Sequence, residues 1–277
     1  MKAVILASTM VLVILAIGPA PIRAEPKVPD FNGIWGKYTY SYPKPYMSGR
    51  NRITDGYNSP YLMPWVVDLL MKDDMVTASG RALPTAHSLC YPEGVPYVFG
   101  ETRIQILQEP AEITMLFGGE QEQSRTIYLN RPHSAHVVPS WYGESVGHFE
   151  DDTLVVDTVG IAANPETGSM GFFGTPHTNA LHLVERYRFL KDGEKSVARG
   201  PNPTANNITL LPSEIVAGGK TLRLTFTVDD PGAYKKPWSV TLDFLPLKAH
   251  IEEFVCTENY QEKDLLPLIP TAEVPDF

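Results

Sequence analysis

Short runs in which apolar and polar residues alternate recur along the chain. In TLRLTFTVDD, residues 221–230, every second residue from Leu222 to Val228 is apolar, and threonine or charged residues fill the positions between. Such alternation predicts an antiparallel strand with one buried face. WSVTLDF repeats the pattern directly afterwards, with Trp238 as its first apolar residue.

Similar segments predict further strands: RIQILQ, EITMLF, RTIYLN, DTLVVDTV and IEEFVC. Residues 181–190, LHLVERYRFL, fit a strand or a helix, and the turn residues that follow them favour a strand. One helix is predicted near residues 64–75, where Pro64 lies close to the start. Roughly nine strands in sequence predict an all-β fold, an antiparallel meander closed as a lipocalin-like barrel or folded as a sandwich.

The first 24 residues have the composition of a secretory signal peptide, because Lys2, an apolar run and the small residue Ala24 follow one another. The apolar run is shorter than the about 20 residues that a membrane-spanning helix needs. We therefore expect cleavage after Ala24, a periplasmic or secreted protein, and no stable membrane span in the mature chain.

Residues 25–277 are predicted to form a single β-rich domain. Residues 25–62 are rich in tyrosine, proline and glycine and are interpreted as an irregular N-terminal arm. Residues 194–219 contain several prolines and a Gly-Gly pair and are interpreted as an inserted loop.

The charge of the chain bears on the class of its binding partners. The formal net charge is −9 and basic residues are not clustered, which argues against nucleic acid as a partner.

Cys90 and Cys256 are the only cysteines, so an oxidising compartment favours a disulfide between them over two buried thiols. Closing so long a loop is worth about 4–5 kcal/mol in the chain-entropy estimate. The oligomeric state stays open.

Histidines supply the first candidate chemistry. The segment 131–158 holds three of the seven histidines, and its His133-x-x-His136 spacing is compatible with zinc. His177, His182 and Glu185 form a second group that matches no metal motif, and a regular strand would turn His182 and Glu185 to opposite faces. A divalent metal therefore stays open, as does the alternative that hydrogen bonds simply hold these histidines in place.

Three carboxylates share a strand face with apolar residues: Asp157, Glu185 and Asp230. A carboxylate on a buried face is costly unless it is paired or neutral, which makes these residues candidates for a site. The alternatives are that Asp230 caps the turn DDPG and that Glu185 pairs with an arginine.

Aromatic residues next to these segments suggest a ligand pocket. Trp141, Tyr234 and Trp238 can line a pocket for an apolar or aromatic ligand, although core packing is the alternative. No glycine-rich phosphate loop is present, so no organic cofactor is expected. Ser145 in GESVG does not predict an esterase, because HFEDDTLVV reads as a strand where the nucleophile elbow needs a turn and a helix.

Six segments occur together from Cys90 onward: CYPEGVP, RTIYLNRPH, DDTLVVDTVG, PHTNALHLVERYRF, TVDDPGAYKKPW and EEFVCTEN. With PDFNGIW near the N-terminus, they resemble the signature of a widespread family of uncharacterised secreted bacterial proteins. The resemblance implies that His133, His177 and His182 lie where relatives also carry histidine, whereas His136 lies where relatives carry another polar residue. The inserted loop departs from the family, whose members turn tightly after the ERYRF-like strand.

Two functions from different classes follow as hypotheses. In the first, an exported lyase, decarboxylase or hydrolase acts on a small aromatic or apolar molecule. His133 is its principal acid–base residue, with His177 or His182 as partner and Glu185 in an orienting role. In the second, a periplasmic β-barrel binds a small molecule without catalysis, and the same residues fix a polar group of the ligand.

Overall fold

The computed structural model describes residues 28–41, 60–80, 90–100, 103–118, 123–163, 176–197 and 213–251, together with Glu253 and Cys256. The signal-peptide prediction for residues 1–24 and most of the C-terminal tail lie outside these residues. Among the helices of the described part, none is long and apolar enough to cross a membrane.

Nine strands and one α-helix form the described part of the fold. The strands are β1 Gly33–Ser41, β2 Arg103–Gln108, β3 Glu112–Gly118, β4 Gln123–Leu129, β5 Glu144–Glu150, β6 Thr153–Val159, β7 His182–Phe189, β8 Leu222–Asp229 and β9 Trp238–Leu247. The helix α1 spans Pro64–Ala78, and a short 3-10 helix spans Tyr97–Gly100.

The strands close into one barrel in sequence order, from β1 to β9 and back to β1. Every neighbouring pair is antiparallel except β4 and β5, which run parallel. Around a closed ring the number of direction reversals must be even, so nine strands require at least one parallel pair. The predicted all-β fold is confirmed, as a barrel and not as a sandwich.

The parallel pair, which we call the seam, requires a long connection. Its register covers only three residue pairs, from Ile127 opposite Ser145 to Leu129 opposite Gly147. A parallel connection cannot be a tight hairpin. Residues 130–143, the crossover loop, therefore run back outside the barrel from the end of β4 to the start of β5.

Backbone contacts hold the crossover loop against the end of β6. The Ser140 amide donates to the carbonyl oxygen of Gly160 over 3.0 Å, and the Ala162 amide donates to the carbonyl oxygen of Ser140 over 2.8 Å. Gly160 has a φ of 69°, and a Cβ there would lie 2.4 Å from Cγ1 of Val137. Only glycine meets both the backbone conformation and the close approach at this position.

Apolar side chains from all nine strands or their flanks fill the barrel. At one end, the ring of Phe31 packs 5.1 Å from that of Phe189. Near the other end, the ring of Phe99 in the 3-10 helix lies 5.3 Å from that of Phe226 on β8. The interior is therefore a packed core in the described part of the chain.

One ion pair interrupts this core. Arg125 on β4 binds both carboxylate oxygens of Glu185 on β7, over 2.7 and 2.8 Å, and the two side chains are 1% and 0% exposed. The guanidinium also donates to the hydroxyls of Ser145 and Thr158 over 2.8 and 2.6 Å. Arg125 thus joins β4 to β5, β6 and β7 from inside the barrel.

Tyr187 completes the partners of Glu185, because its hydroxyl donates to the carboxylate over 2.8 Å. Burial, reinforced by the negative charge of Glu185, raises the pKa of Tyr187 well above its ordinary value of 10.0. The phenol therefore stays protonated as a donor.

The described parts of the inserted loop lie against the outside of the barrel. Glu194 accepts hydrogen bonds from Arg188 and Arg223, over 2.6 Å in each case, and the bonds from Arg188 are the largest cause that lowers the pKa of Glu194 to about 2. The Val197 amide donates to the buried carboxylate of Asp243 over 2.8 Å. Residues 198–212 lie outside the described part.

Within the N-terminal arm, residues 25–62, residues 33–41 form the barrel strand β1, which contributes the core residue Trp35. Two predicted strands need correction. The predicted strand HFEDDTLVV is a hairpin of β5 and β6, with a turn at Asp151 and Asp152. In the predicted strand IEEFVC, the described residues 251, 253 and 256 lie outside any strand.

Other predicted elements are confirmed. Residues 181–190 contain a strand, β7, and the helix near residues 64–75 is α1. Cys90 and Cys256 are joined in a disulfide, with Cα atoms 5.7 Å apart, within the usual range for such a bond.

Removing one member of the buried ion pair should be strongly destabilising. We expect Glu185→Ala to lower the free energy of unfolding by about 3–5 kcal/mol, because it leaves the Arg125 charge buried without its partner. Urea unfolding followed by circular dichroism measures this change. The double replacement Arg125→Met/Glu185→Leu should recover much of the loss.

The matched control is Glu150→Ala, which removes an exposed ion pair with Arg186. Its effect should be much smaller, because water and salt screen exposed charges. Equal losses for the two variants would show that the buried pair does not hold the barrel together.

Candidate functional site

Two histidines and two carboxylates form a hydrogen-bonded chain on the outer surface of the barrel. The Nδ1 atom of His133 lies 3.0 Å from Oε1 of Glu144, and its Nε2 atom lies 2.8 Å from Oδ1 of Asp157. The second oxygen of Asp157 lies 2.8 Å from Nε2 of His182. We call Glu144, His133, Asp157 and His182 the outer cluster.

Neighbouring strands and the crossover loop position the four side chains. Glu144 and His182 are the first residues of β5 and β7, and Asp157 lies between them on β6. His133 comes from the crossover loop, which the seam makes necessary. The outer cluster therefore depends on the one place where the barrel departs from antiparallel order.

The position of Asp157 corrects a prediction. The sequence pattern predicts Asp157 on the interior face of its strand together with Val155 and Val159, but its side chain is 41% exposed. The interior face carries Leu154, Val156 and Thr158 instead. Val155 is nevertheless only 7% exposed, so β6 is apolar on both sides over part of its length, and alternation alone does not identify the inner face.

Hydrogen bonds keep both carboxylates ionised. Bonds from the hydroxyl and the amide of Ser134 are the largest cause that lowers the pKa of Glu144, and His133 adds to them. Partial burial of Asp157 opposes ionisation, but hydrogen bonds from His182 and His133 outweigh it and lower the pKa of Asp157.

The two imidazoles have different hydrogen-bonding freedom. Two ionised carboxylates accept from His133, so both bonds form only when both ring nitrogens carry a proton. His182 uses Nε2 toward Asp157, and no described residue forms a hydrogen bond with its Nδ1. With 40% of its side chain exposed, His182 is the member of the outer cluster best placed to exchange a proton with another molecule.

A pocket of about 380 Å³ adjoins the outer cluster at the seam. We call it the seam pocket, and its lining residues are Ser124, Arg125, Thr126, Tyr128, Ser134, His136, Val138, Tyr142, Gly143, Glu144 and Ser145. Glu144 belongs to both the seam pocket and the outer cluster. His136 faces the pocket and is not among the hydrogen-bond partners of the cluster.

The structure brings together only part of the predicted catalytic set. His133 and His182 meet at Asp157, whereas Glu185 lies inside the barrel with Arg125 and does not reach them. That pairing is the arginine alternative considered for Glu185. His177 lies apart, with Nδ1 3.1 Å from the carbonyl oxygen of Thr178, and its burial lowers its pKa.

The predicted ligand-binding residues take mainly structural positions. The carboxylate of Asp230 accepts from the Thr178 amide and hydroxyl, over 2.6 Å each, and from the Gly232 amide over 3.1 Å, as the turn-capping alternative describes. Tyr234 and Trp238 pack edge to face in the core.

Trp141 lies at the surface of the crossover loop. Its ring is half-buried and packs 5.6 Å from that of Tyr91. In the sequence Trp141 precedes Tyr142, which lines the seam pocket.

Sequence reasoning missed Arg125, Ser134 and Glu144. Glu185 is a candidate because it is a charged residue on an apolar strand face. Arg125 shares its strand face with Ile127, so it meets the same criterion. Ser134 and Glu144 carry no comparable signal, because their contact depends on how the crossover loop folds back onto β5.

Comparisons with known proteins add no family: the chain matches no protein-family model and no curated protein. Within the described residues, no group of three or more His, Cys, Asp or Glu side chains has an arrangement that could hold a metal ion. The divalent metal considered for the His133-x-x-His136 pair stays a prediction.

Acidification should break the outer cluster only below the ordinary carboxyl range. Because the pKa values of Asp157 and Glu144 are lowered in the folded state, their bonds contribute stability above the ordinary values of 3.8 and 4.5 and lose it as pH falls through the lowered values. Carbon-13 NMR titration of the two side-chain carboxyl groups measures these midpoints.

A peptide spanning residues 140–160 provides the unfolded control and should titrate at the ordinary carboxyl values. Midpoints in the folded protein equal to those of the peptide would mean that the hydrogen bonds from Ser134, His133 and His182 do not form in solution.

Proposed function

We propose that the protein is an exported enzyme that performs acid–base chemistry on a small molecule at the outer cluster. The observation that carries the proposal is the carboxylate of Asp157, which binds Nε2 of both His133 and His182 at 2.8 Å. A carboxylate on one imidazole nitrogen fixes the ring and its tautomer, and leaves the other nitrogen to accept or donate a proton.

In this proposal His182 is the proton-transfer group. With Nε2–H donated to Asp157, the Nδ1 atom of His182 carries the lone pair that accepts a proton from the substrate and later returns it. The ionised Asp157 stabilises the imidazolium that forms between these steps. His133 takes the positioning role, because both of its nitrogens are engaged by carboxylates.

Glu144 and Ser134 complete the support. Glu144 holds His133 on the side opposite Asp157, and the Ser134 amide donates to Glu144 over 2.7 Å. The support therefore runs from the crossover loop through His133 to Asp157. The proposed reaction is that of a lyase, decarboxylase or hydrolase that needs no organic cofactor. The exported location rests on the signal peptide predicted for residues 1–24.

A binding protein without catalysis is the second candidate, and the seam pocket favours it. Its volume of about 380 Å³ lies in the usual range for small-molecule sites. Ligand binding in a pocket does not require two histidines bound to one carboxylate. We therefore favour the enzyme over the binding protein.

Loss of the His182 imidazole should remove most of the activity. A screen of small aromatic carboxylic acids and aryl esters, read by carbon dioxide or phenol release, identifies a substrate for wild type. We expect His182→Asn to lower kcat by about 10²–10⁴-fold, the usual scale of general acid–base catalysis. Asp157→Asn should have a similar effect, because an amide does not stabilise the imidazolium.

His148→Asn is the matched control, since His148 on β5 is an exposed histidine that pairs with Glu150, outside both the outer cluster and the seam pocket. It should leave kcat close to that of wild type, because its side chain does not contact the outer cluster. Thermal unfolding of each variant separates catalysis from folding. Normal kcat in folded His182→Asn protein would overturn the proposed role of His182.

A further inference from the structure

The seam pocket lies between the outer face of β4 and the crossover loop. Its walls on the strand side come from Ser124, Thr126 and Tyr128, which are outward-facing residues of β4. Its opposite wall comes from Ser134, His136 and Val138 of the loop. The pocket therefore lies beside the short parallel pair, whose register covers only three residue pairs.

Hydrogen-bonding groups are distributed around the pocket. Ser124, Thr126 and Ser134 place hydroxyl groups among its lining residues, and Glu144 adds a carboxylate. A carboxylate accepts hydrogen bonds only, whereas hydroxyls donate or accept. A ligand with hydroxyl donors therefore matches these walls.

Charged groups of both signs border the pocket. Hydrogen bonds from Ser134 lower the pKa of Glu144, so its carboxylate stays an acceptor at neutral pH. The guanidinium of Arg125 is buried and bound to Glu185, Ser145 and Thr158, whereas Arg131 is exposed beside Tyr128. The acceptor that the lining offers to a ligand hydroxyl is therefore Glu144.

The remaining lining is aromatic and apolar. Tyr128 and Tyr142 are both half-buried, and Val138 is 80% exposed at the loop. Arg131 covers one face of the Tyr128 ring, with its guanidinium carbon 3.7 Å from the ring centroid. Tyrosine rings beside hydroxyl groups favour a flat aromatic ligand with polar substituents.

We propose that the seam pocket is a binding site for a small phenol, whose hydroxyl donates to Glu144 or Ser134 and whose ring packs beside Tyr128 and Tyr142. This site goes beyond the proposed catalytic role of His182 and does not depend on it. Because Glu144 also binds His133, a ligand in the seam pocket changes the surroundings of the outer cluster.

The test is a titration of the exported full-length protein, labelled with nitrogen-15, with catechol as the probe. Backbone amide shifts of Ser134, Gly143 and Glu144 should move together and saturate. The analogue 1,2-dimethoxybenzene, which keeps the ring but has no hydroxyl donor, should bind at least about tenfold more weakly, because it cannot donate to Glu144 or Ser134. Saturation without these residues, or equal binding of the dimethoxy analogue, would overturn the proposal.

Two pocket variants sharpen the test. Thr126→Trp fills the pocket and should weaken catechol binding by at least about tenfold, whereas Thr225→Trp on the outer face of β8 should leave it unchanged. If Thr126→Trp fails to fold, Ser134→Ala replaces it and should weaken binding by about threefold or more through the lost hydroxyl. Full-strength binding by a folded pocket variant would place the catechol site elsewhere.

His182→Asn separates this proposal from the catalytic one. The variant should bind catechol as wild type does, even where it has lost turnover. Catechol binding that is lost in His182→Asn would move the phenol site from the seam pocket to the outer cluster. A pocket that binds catechol while His182→Asn turns over normally would leave the seam pocket proposal standing and remove the catalytic one.

Discussion

A closed ring of nine strands cannot alternate in direction throughout, and the rest of this structure follows from that constraint. The barrel meets it with a single parallel pair, β4 and β5. A parallel pair needs a long return connection, and here the crossover loop, residues 130–143, supplies it. That loop carries His133 to the outer cluster and forms one wall of the seam pocket, so both proposed sites arise at the same irregularity.

The seam is short, and side chains reinforce it from both sides. Inside the barrel, Arg125 reaches from β4 to Ser145 on β5 and onward to Glu185 on β7. Outside, His133 links the crossover loop to Glu144 and Asp157 on the next two strands. The inner contact is buried and serves stability, whereas the outer one is partly exposed and leaves an imidazole nitrogen of His182 for chemistry. Glu185 therefore lies inside the barrel, apart from His177 and His182, with which the sequence analysis grouped it.

The strand pattern was predictable from the sequence because each barrel strand places alternate residues in one core, as β8 does from Leu222 to Val228. The seam was not, since a parallel and an antiparallel neighbour give the same alternation. Alternation predicts the wrong face for Asp157 because the outer residue Val155 is also apolar and buried, so β6 is apolar on both sides over part of its length. The meeting of His133 with His182 was among the predicted pairings, but the carboxylate between them depends on strand register, which a single sequence does not reveal.

The outer cluster requires that Asp157 binds both imidazoles while His133 donates from both ring nitrogens. Long-range proton–nitrogen NMR correlation of the histidine side chains tests this arrangement directly. We expect two slowly exchanging imidazole N–H signals for His133 and an Nε2–H signal for His182, with the His182 signal shifted in Asp157→Asn. Rapid exchange of all these protons with water, as in a free histidine side chain, would contradict it.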